Sequence, residues 1–107
     1  MQATQQLDQV FFALSDQTRR SILARLAESS ATVGELAAPF KISAPAISRH
    51  MKILQRAGLI ERHISGRKHQ CSLATDGLKT AEDWLHFHRE FWESRFDALD
   101  QFFQNDQ

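Results

Sequence analysis

The sequence predicts a mainly α-helical chain with one small β-hairpin, in the order α-α-α-α-β-β-α. Three observations lead there. Apolar residues recur at three- and four-residue steps near both ends of the chain. Helix-start signals fall at Ser15 or Asp16, at Thr32 and at Ser43. The one stretch of shorter periodicity is split by Ser65-Gly66-Arg67, a glycine-containing loop of hairpin length. With 107 residues, 42% hydrophobic and 24% charged, the chain has the composition of one domain around one core, so residues 1–107 are read as a single unit.

Leu7, Val10, Phe11 and Leu14 fall at i, i+3, i+4 and i+7, one face of a first helix. Ser15 or Asp16 then caps a second, which carries Ile22, Leu23, Leu26 and Ala27 inward and leaves Arg19, Arg20 and Arg25 mostly outside. Thr32 and Glu35 form a Thr-x-x-Glu capping box, in which each side chain satisfies the other residue's free amide at a helix start. That third helix stays short because Pro39 disfavours a helical conformation at Ala38. Ser43 caps the fourth, with Pro45 tolerated in its first turn, and the helix runs to Ala57 and stops at Gly58. Residues 59–64 and 68–73 read as two antiparallel strands, a hairpin over 59–73.

After Asp76-Gly77 the apolar residues Leu78, Ala81, Leu85, His88, Trp92, Leu99 and Phe102 recur at helical steps, with Trp84, Phe91 and Phe96 widening the stripe. A helix over 77–103, of ~26 residues from Leu78 on, would be ~39 Å long at 1.5 Å per residue. That is longer than so small a body can cover. Its surplus apolar face calls for another surface, most simply the same helix and the first helix of a second copy. Leu7, Phe11, Leu85, His88, Trp92 and Leu99 are the residues expected at that seam.

Several classes are excluded early. The longest apolar run, Ala57–Ile60, is far short of the ~20 residues of a membrane span. Residues Met1–Asp8 lack the basic start and apolar stretch of a secretory signal, which leads to the expectation of a cytoplasmic protein. Cys71 is the only cysteine, so neither an internal disulfide nor a four-cysteine zinc site is available. No Ser-His-Asp order, glycine-rich phosphate loop or paired carboxylates can be read, so no enzyme is expected.

Thirteen basic residues balance thirteen acidic ones, and position reveals what the total hides. Residues 1–31 are neutral, residues 32–73 hold seven basic against two acidic residues for a net of +5, and residues 74–107 hold three against eight for −5. A basic block inside a folded segment is the footprint of a polyanion, and an acidic helical tail would repel one. If the chain binds double-stranded DNA, its middle third does so.

Two short helices separated by Phe40-Lys41-Ile42, over 32–57, form a helix-turn-helix candidate. At 100° per residue, Ile47, Met51 and Leu54 share one side of the second helix, while Pro45, Ser48, Arg49, Lys52 and Arg56 share the other. The second face suits a major groove, where residues in the first half of the helix reach base edges and later cations reach phosphates. Ser48 and Arg49 are the expected base readers and Ala44 a contact to a thymine methyl. Lys52 and Arg56 would hold phosphate, and Ser43 and Pro45 complete the helix start. Arg67-Lys68 at the hairpin tip would grip the backbone beside the helix, as a wing does, with Gly66 permitting the turn.

The string Ala13-Leu14-Ser15-Asp16-Gln17-Thr18-Arg19-Arg20, then Val33-Gly34-Glu35-Leu36-Ala37, then Ser43–Leu54 and Ala57-Gly58-Leu59-Ile60, closely resembles the ArsR/SmtB-type winged-helix transcriptional regulators of bacteria. The resemblance covers nearly the whole chain. It implies a homodimer through the first and last helices, a recognition helix at Ser43–Ala57, a wing over 59–73 and repression of a promoter. The arsenic-type sites of that family use a cysteine pair where this chain has Glu35-Leu36-Ala37-Ala38. Zinc-type sites use Asp and His ligands on the last helix, where this chain offers Asp83, His86, His88, Glu90 and Glu93. His86 and His88 lie ~200° apart on a helix and cannot hold one ion together. The expectation is therefore no metal and no cofactor, with a metal-responsive repressor using His86 beside Glu82 or Glu90 as one alternative. A protein-interaction module built on the aromatic last helix is the other. Cys71, in phase with His69 and Leu73, reads as a small hydrophobe, and His50 and His63 read as surface histidines near the DNA face.

Overall fold

A computed structural model describes residues 2–105. The elements are α1 (Gln2–Leu14), α2 (Gln17–Glu28), β1 (Ala31–Thr32), α3 (Val33–Ala37), α4 (Ala44–Arg56), β2 (Ile60–Ser65), β3 (Lys68–Leu73) and α5 (Asp76–Asn105). The expected helices are all present. The hairpin, however, is two-thirds of a three-stranded antiparallel sheet in the order β1-β3-β2. The added strand pairs Ala31 with Cys71 and Thr32 with Gln70. Two residues are too few to carry an alternating pattern, which is why the sequence does not display it. The strand also fits the cap: Thr32 has φ −77° and ψ 160°, the extended backbone an N-cap residue takes. Its Oγ1 accepts from Glu35 N at 3.1 Å while Thr32 N donates to Glu35 Oε1 at 3.3 Å, completing the capping box. Helix α3 is short, as expected, and ends at Ala37, but not for the expected reason, since Ala38 before Pro39 keeps helical angles (φ −54°, ψ −42°) as the cap.

The core gathers Val10, Ile22, Leu36, Met51, Leu54 and Leu59 from both helical ends and the hairpin base. Cys71, wholly buried, sits among them from β3. At the end of α4 the chain reverses through Gly58, whose φ of 72° is the left-handed conformation glycine adopts without strain. Leu59 N donates to Leu54 O and Gly58 N to Gln55 O, both at 3.0 Å. These are the two bonds of a Schellman motif, and its usual apolar contact is present too, since Leu54 and Leu59 are both fully buried.

Helix α1 ends without a glycine, and its last carbonyls need donors from elsewhere. Arg19 supplies them. Its Nε donates to Ala13 O at 2.7 Å and its Nη2 to Phe12 O at 2.8 Å, while Arg20 Nη1 reaches Leu14 O at 2.7 Å. Arg19 is therefore only 5% exposed, which corrects the expectation that it lies mostly outside with Arg20 and Arg25. The helical wheel of α2 shows where Arg19 points but not that unpaired carbonyls of the preceding helix wait there. Asp16 fixes the same corner by capping α2, its carboxylate accepting from Arg19 N at 3.1 Å. That bond, assisted by the charges of Arg19 and His50, holds Asp16 below the usual carboxylate range. A depressed carboxylate contributes stability that is present above its ordinary titration range and is lost as pH falls through the folded value.

Arg19→Ala is expected to destabilise the fold by about 1–3 kcal/mol, because the buried Ala13 carbonyl loses its side-chain donor, while Phe12 O keeps the bonds from Ser15 N and Oγ and the hydrophobic core keeps its atoms. Urea unfolding at fixed protein concentration measures it, and Arg20→Ala, which frees one exposed carbonyl to water, should cost well under half as much.

Helix α5 is the outlier in shape. Its 30 residues span ~45 Å at 1.5 Å per residue. The described chain measures 67 × 32 × 22 Å with a radius of gyration of 18.5 Å, against roughly 13 Å for a compact chain of this length. Only the first turns of α5 are covered: α1 lies along them, with Phe11 edge-on to Trp84 at 5.7 Å and Thr80 Oγ1 donating to Gln6 Oε1 at 3.0 Å. Beyond, Phe87, Phe91, Trp92, Phe96, Leu99, Phe102 and Phe103 are all exposed.

Candidate nucleic-acid interface

Ser43 opens α4 in extended conformation, and its Oγ accepts from Ala46 N at 3.3 Å. Pro45 follows in the first turn, where a missing N–H leaves no gap. Anchored in this way, α4 turns Ile47, Met51 and Leu54 into the core and keeps Ser43, Ala44, Pro45, Ser48, Arg49, Lys52 and Arg56 exposed. The division is the one expected from 100° spacing. Among the described residues, the carboxylates that form ion pairs do so with Arg25, His50, His63 and Arg89. Arg49, Lys52 and Arg56 have no such partner, and their charges stay available to a ligand.

The wing closes more tightly than the sequence indicates. Ser65 pairs with Lys68, so the loop is two residues, Gly66-Arg67, with Gly66 at φ 62° in its first position. A glycine-first two-residue loop matches the twist of antiparallel strands. It leaves Arg67 and Lys68 exposed at the tip. The strand register also places Arg62 opposite Cys71 and Ile64 opposite His69, all on the face of the sheet that continues the core. Arg62 and His69 thus join Arg67 and Lys68 around a cleft against Thr32, Val33 and Gly34. Neither Arg62 nor His69 stands out in the sequence as a site residue. Their alternation with the buried Ile60 and Cys71 is the only signal that could have found them.

His50 differs from its expectation as a surface histidine. It flanks the core side of α4 and reaches back to the α1–α2 corner, its Nδ1 3.1 Å from Arg19 Nη1 and 3.9 Å from Asp16 Oδ2. It ties the helix to the body rather than to a ligand. His63 is exposed beside Glu61 at 3.7 Å. On α5, Glu82 and His86 border a shallow groove with Leu14, Leu78 and Arg89, and Glu90 borders a different hollow with Phe87, His88 and Phe91. Among the described residues no three His, Cys, Asp or Glu side chains gather as metal ligands would. Of the residues expected at a seam between copies, Leu7 and His88 are half-buried and Phe11, Leu85, Trp92 and Leu99 are exposed.

Burial pushes the Cys71 thiol above its ordinary value, with Arg62 partly opposing the shift. The thiol is therefore protonated and shielded at neutral pH. Alkylation of native protein is expected to proceed only at the rate of unfolding, checked by following adduct mass with and without denaturant. Because the raised value favours the neutral folded form, this contribution is present below the ordinary thiol range and fades as pH climbs through the folded value.

A short capped helix, a tight turn, an exposed basic helix and a basic-tipped hairpin define a winged helix-turn-helix. The comparisons agree. Residues 14–63 match the helix-turn-helix domain family. The chain is 40% identical over 79 residues to the transcriptional repressor SdpR of Bacillus subtilis, a match covering 74% of this chain and 88% of SdpR. It superposes on the crystal structure of the ArsR family transcriptional regulator RHA00566 with a TM-score of 0.80 at 40% identity, covering 85% of this chain and 94% of that one. An ArsR-like transcriptional regulator from Rhodococcus sp. RHA1 gives a TM-score of 0.75 at 30% identity, covering 95% and 96%. This chain belongs to the ArsR family of helix-turn-helix transcriptional regulators, a class of regulators rather than of enzymes. No helix among the described residues is long and apolar enough to cross a membrane.

Proposed function

We propose that this protein is a cytoplasmic transcriptional repressor that binds double-stranded DNA as a homodimer, each copy laying α4 in a major groove of an inverted repeat. The observation that carries the reading is the exposed face Ser48–Arg49–Lys52–Arg56, opposite a buried one and without ion-pair partners among the described residues. Ser48 and Arg49 read base edges, with Ala44 against a thymine methyl. Lys52, Arg56 and the wing residues Arg67 and Lys68 hold phosphates, and Ser43 and Pro45 set the approach of the helix. The relative SdpR is itself named a repressor, which favours repression over activation.

What supports the dimer is α5. Its exposed aromatic and aliphatic residues occupy about half of the helix circumference over some five turns, more than α1 covers. A second copy placing α1 and α5 against Leu7, Phe11, Leu85, His88, Trp92 and Leu99 would bury that arc. The acidic side of α5 would face solvent, away from phosphate. Two recognition helices held this way would meet successive grooves about one helical turn apart.

The test is a fluorescence anisotropy titration of the duplex upstream of the protein's own gene and of an unrelated duplex, at several salt concentrations, with sedimentation velocity on the same samples. Selective binding by a two-chain species is expected, with affinity falling steeply as salt rises. Binding indifferent to salt, or none by an intact dimer, would count against the DNA reading and favour an interaction module. Release by added zinc would instead favour a metal-responsive repressor built on His86.

A further inference from the structure

The cleft at the base of the wing has a chemistry of its own. It is an open recess of about 330 Å³ between the inner face of the hairpin and the start of α3, lined by Thr32, Val33, Gly34, Arg62, Arg67, Lys68 and His69. Three of those side chains are cationic or carry a fixed positive charge on a guanidinium, a fourth is an imidazole, and no carboxylate is among them. The acidic residues nearest in sequence are engaged elsewhere. Glu35 is held by Thr32 at 3.0 Å and faces Arg25 at 3.8 Å, and Glu61 lies beside His63 on the other face of β2. Thr32 contributes wall rather than binding, because its hydroxyl is committed to the capping box.

The second observation is independent of charge. Arg62 Nε and His69 Nδ1 are buried atoms with no hydrogen-bond partner among the described residues. An arginine Nε can only donate, and a buried donor left without an acceptor costs roughly 1–3 kcal/mol, more when it carries charge. Elsewhere the fold is careful on this point: Arg19, the most buried arginine, has every side-chain nitrogen on an acceptor. Strand register instead places Arg62 and His69 on one sheet face beside the cleft, where these two nitrogens would suit a ligand with several acceptor oxygens.

We infer that this cleft is an oxyanion site that takes a phosphate group, with Arg62, Lys68 and His69 as its donors and Arg67 at its mouth. Phosphate fits because a tetrahedral set of acceptor oxygens can meet a guanidinium edge, an ammonium and a ring N–H at once. Two sources share that chemistry, a backbone phosphodiester of bound DNA and a free phosphate-bearing small molecule. Only the first rests on the DNA-binding reading.

The experiment uses the full chain labelled with ¹⁵N, in spectra tuned to arginine Nε–H and histidine ring nitrogens. Inorganic phosphate is titrated against sodium chloride at matched ionic strength, followed by the operator duplex. Saturable movement of the Arg62 and His69 signals by phosphate but not chloride is expected. Arg62→Gln should weaken that binding by about tenfold, the loss of one charge-assisted contact, and Lys68→Gln, at an exposed position, should weaken it with no risk to the fold. If the duplex moves the same signals and displaces phosphate, the source is the DNA backbone. If the duplex binds and leaves them unmoved, the source is a free phosphate. Signals unmoved by either probe overturn the site. The double variant Arg49→Ala/Lys52→Ala separates the two readings, since it should lose the duplex and keep the phosphate response.

Discussion

Replacing Arg49 and Lys52 together by alanine removes selective DNA binding and leaves the fold and its assembly unchanged. Both side chains are exposed, and neither has an ion-pair partner among the described residues, so their removal opens no cavity and strands no counter-charge. Alanine is the best helix former, so α4 itself gains rather than loses. On the ligand side the losses are large. A bidentate contact from Arg49 to a base is worth about 1–3 kcal/mol of discrimination, and each phosphate contact removed lowers the salt slope by about 0.9. Together they amount to a loss of roughly a hundredfold or more in affinity for the selected duplex. Anisotropy titration across salt concentrations measures both quantities, and circular dichroism with sedimentation velocity checks the fold and assembly. Affinity within a few-fold of the parent would remove α4 from the interface. A uniform drop on all duplexes, with selectivity kept, would leave Lys52 as a phosphate contact and take base reading away from Arg49.

That face was legible in the sequence because every one of its determinants is local. Ser43, Pro45 and Gly58 mark the ends of α4, and 100° spacing sorts its sides without knowledge of any partner. The resemblance to a known family rests on the same segments. What escaped depends on distance along the chain. Strand β1 exists only because β3, forty residues later, offers edge hydrogen bonds to Ala31 and Thr32. Arg19 is buried because carbonyls of the preceding helix need its donors, and His50 turns away from the ligand face because Arg19 is there. Arg62 and His69 meet through strand register. In each case a polar residue looks like surface until the element that satisfies or encloses it is in place.

Gly77 depends most of all on a contact distant in the chain, and the sequence offers only the turn signal Asp76-Gly77 there. Its backbone angles are ordinary, so conformational freedom does not explain the residue. Space does. Helix α5 starts directly against the end of α4, and Gly77 N donates to Gly58 O at 2.9 Å. A Cβ on residue 77 would lie 2.3 Å from Ala57 O, 2.9 Å from Gly58 O and 3.0 Å from Gly58 C. All three are backbone atoms of the Schellman turn, and that turn is held in place by the wholly buried Leu54 and Leu59. No flexible side chain is present to yield, so α5 must slide outward or the turn must open. Either movement breaks the Gly77–Gly58 bond and tilts a helix of 30 residues whose far end stands well beyond the body. Gly77→Ala is therefore expected to cost about 3 kcal/mol or more, at the upper end of overpacking penalties and opposite in sign to the gain alanine brings at an open helical position. Under the proposed assembly the tilt also misaligns the two α4 helices, so DNA affinity should fall although residue 77 touches no DNA. Urea unfolding gives the first quantity and anisotropy titration the second. Gly34→Ala is the control, since the nearest atom to its added methyl is Thr32 Oγ1 at 3.9 Å. If residue 77 tolerates alanine as residue 34 should, the close approach of α5 to the α4 turn does not fix the position of the last helix.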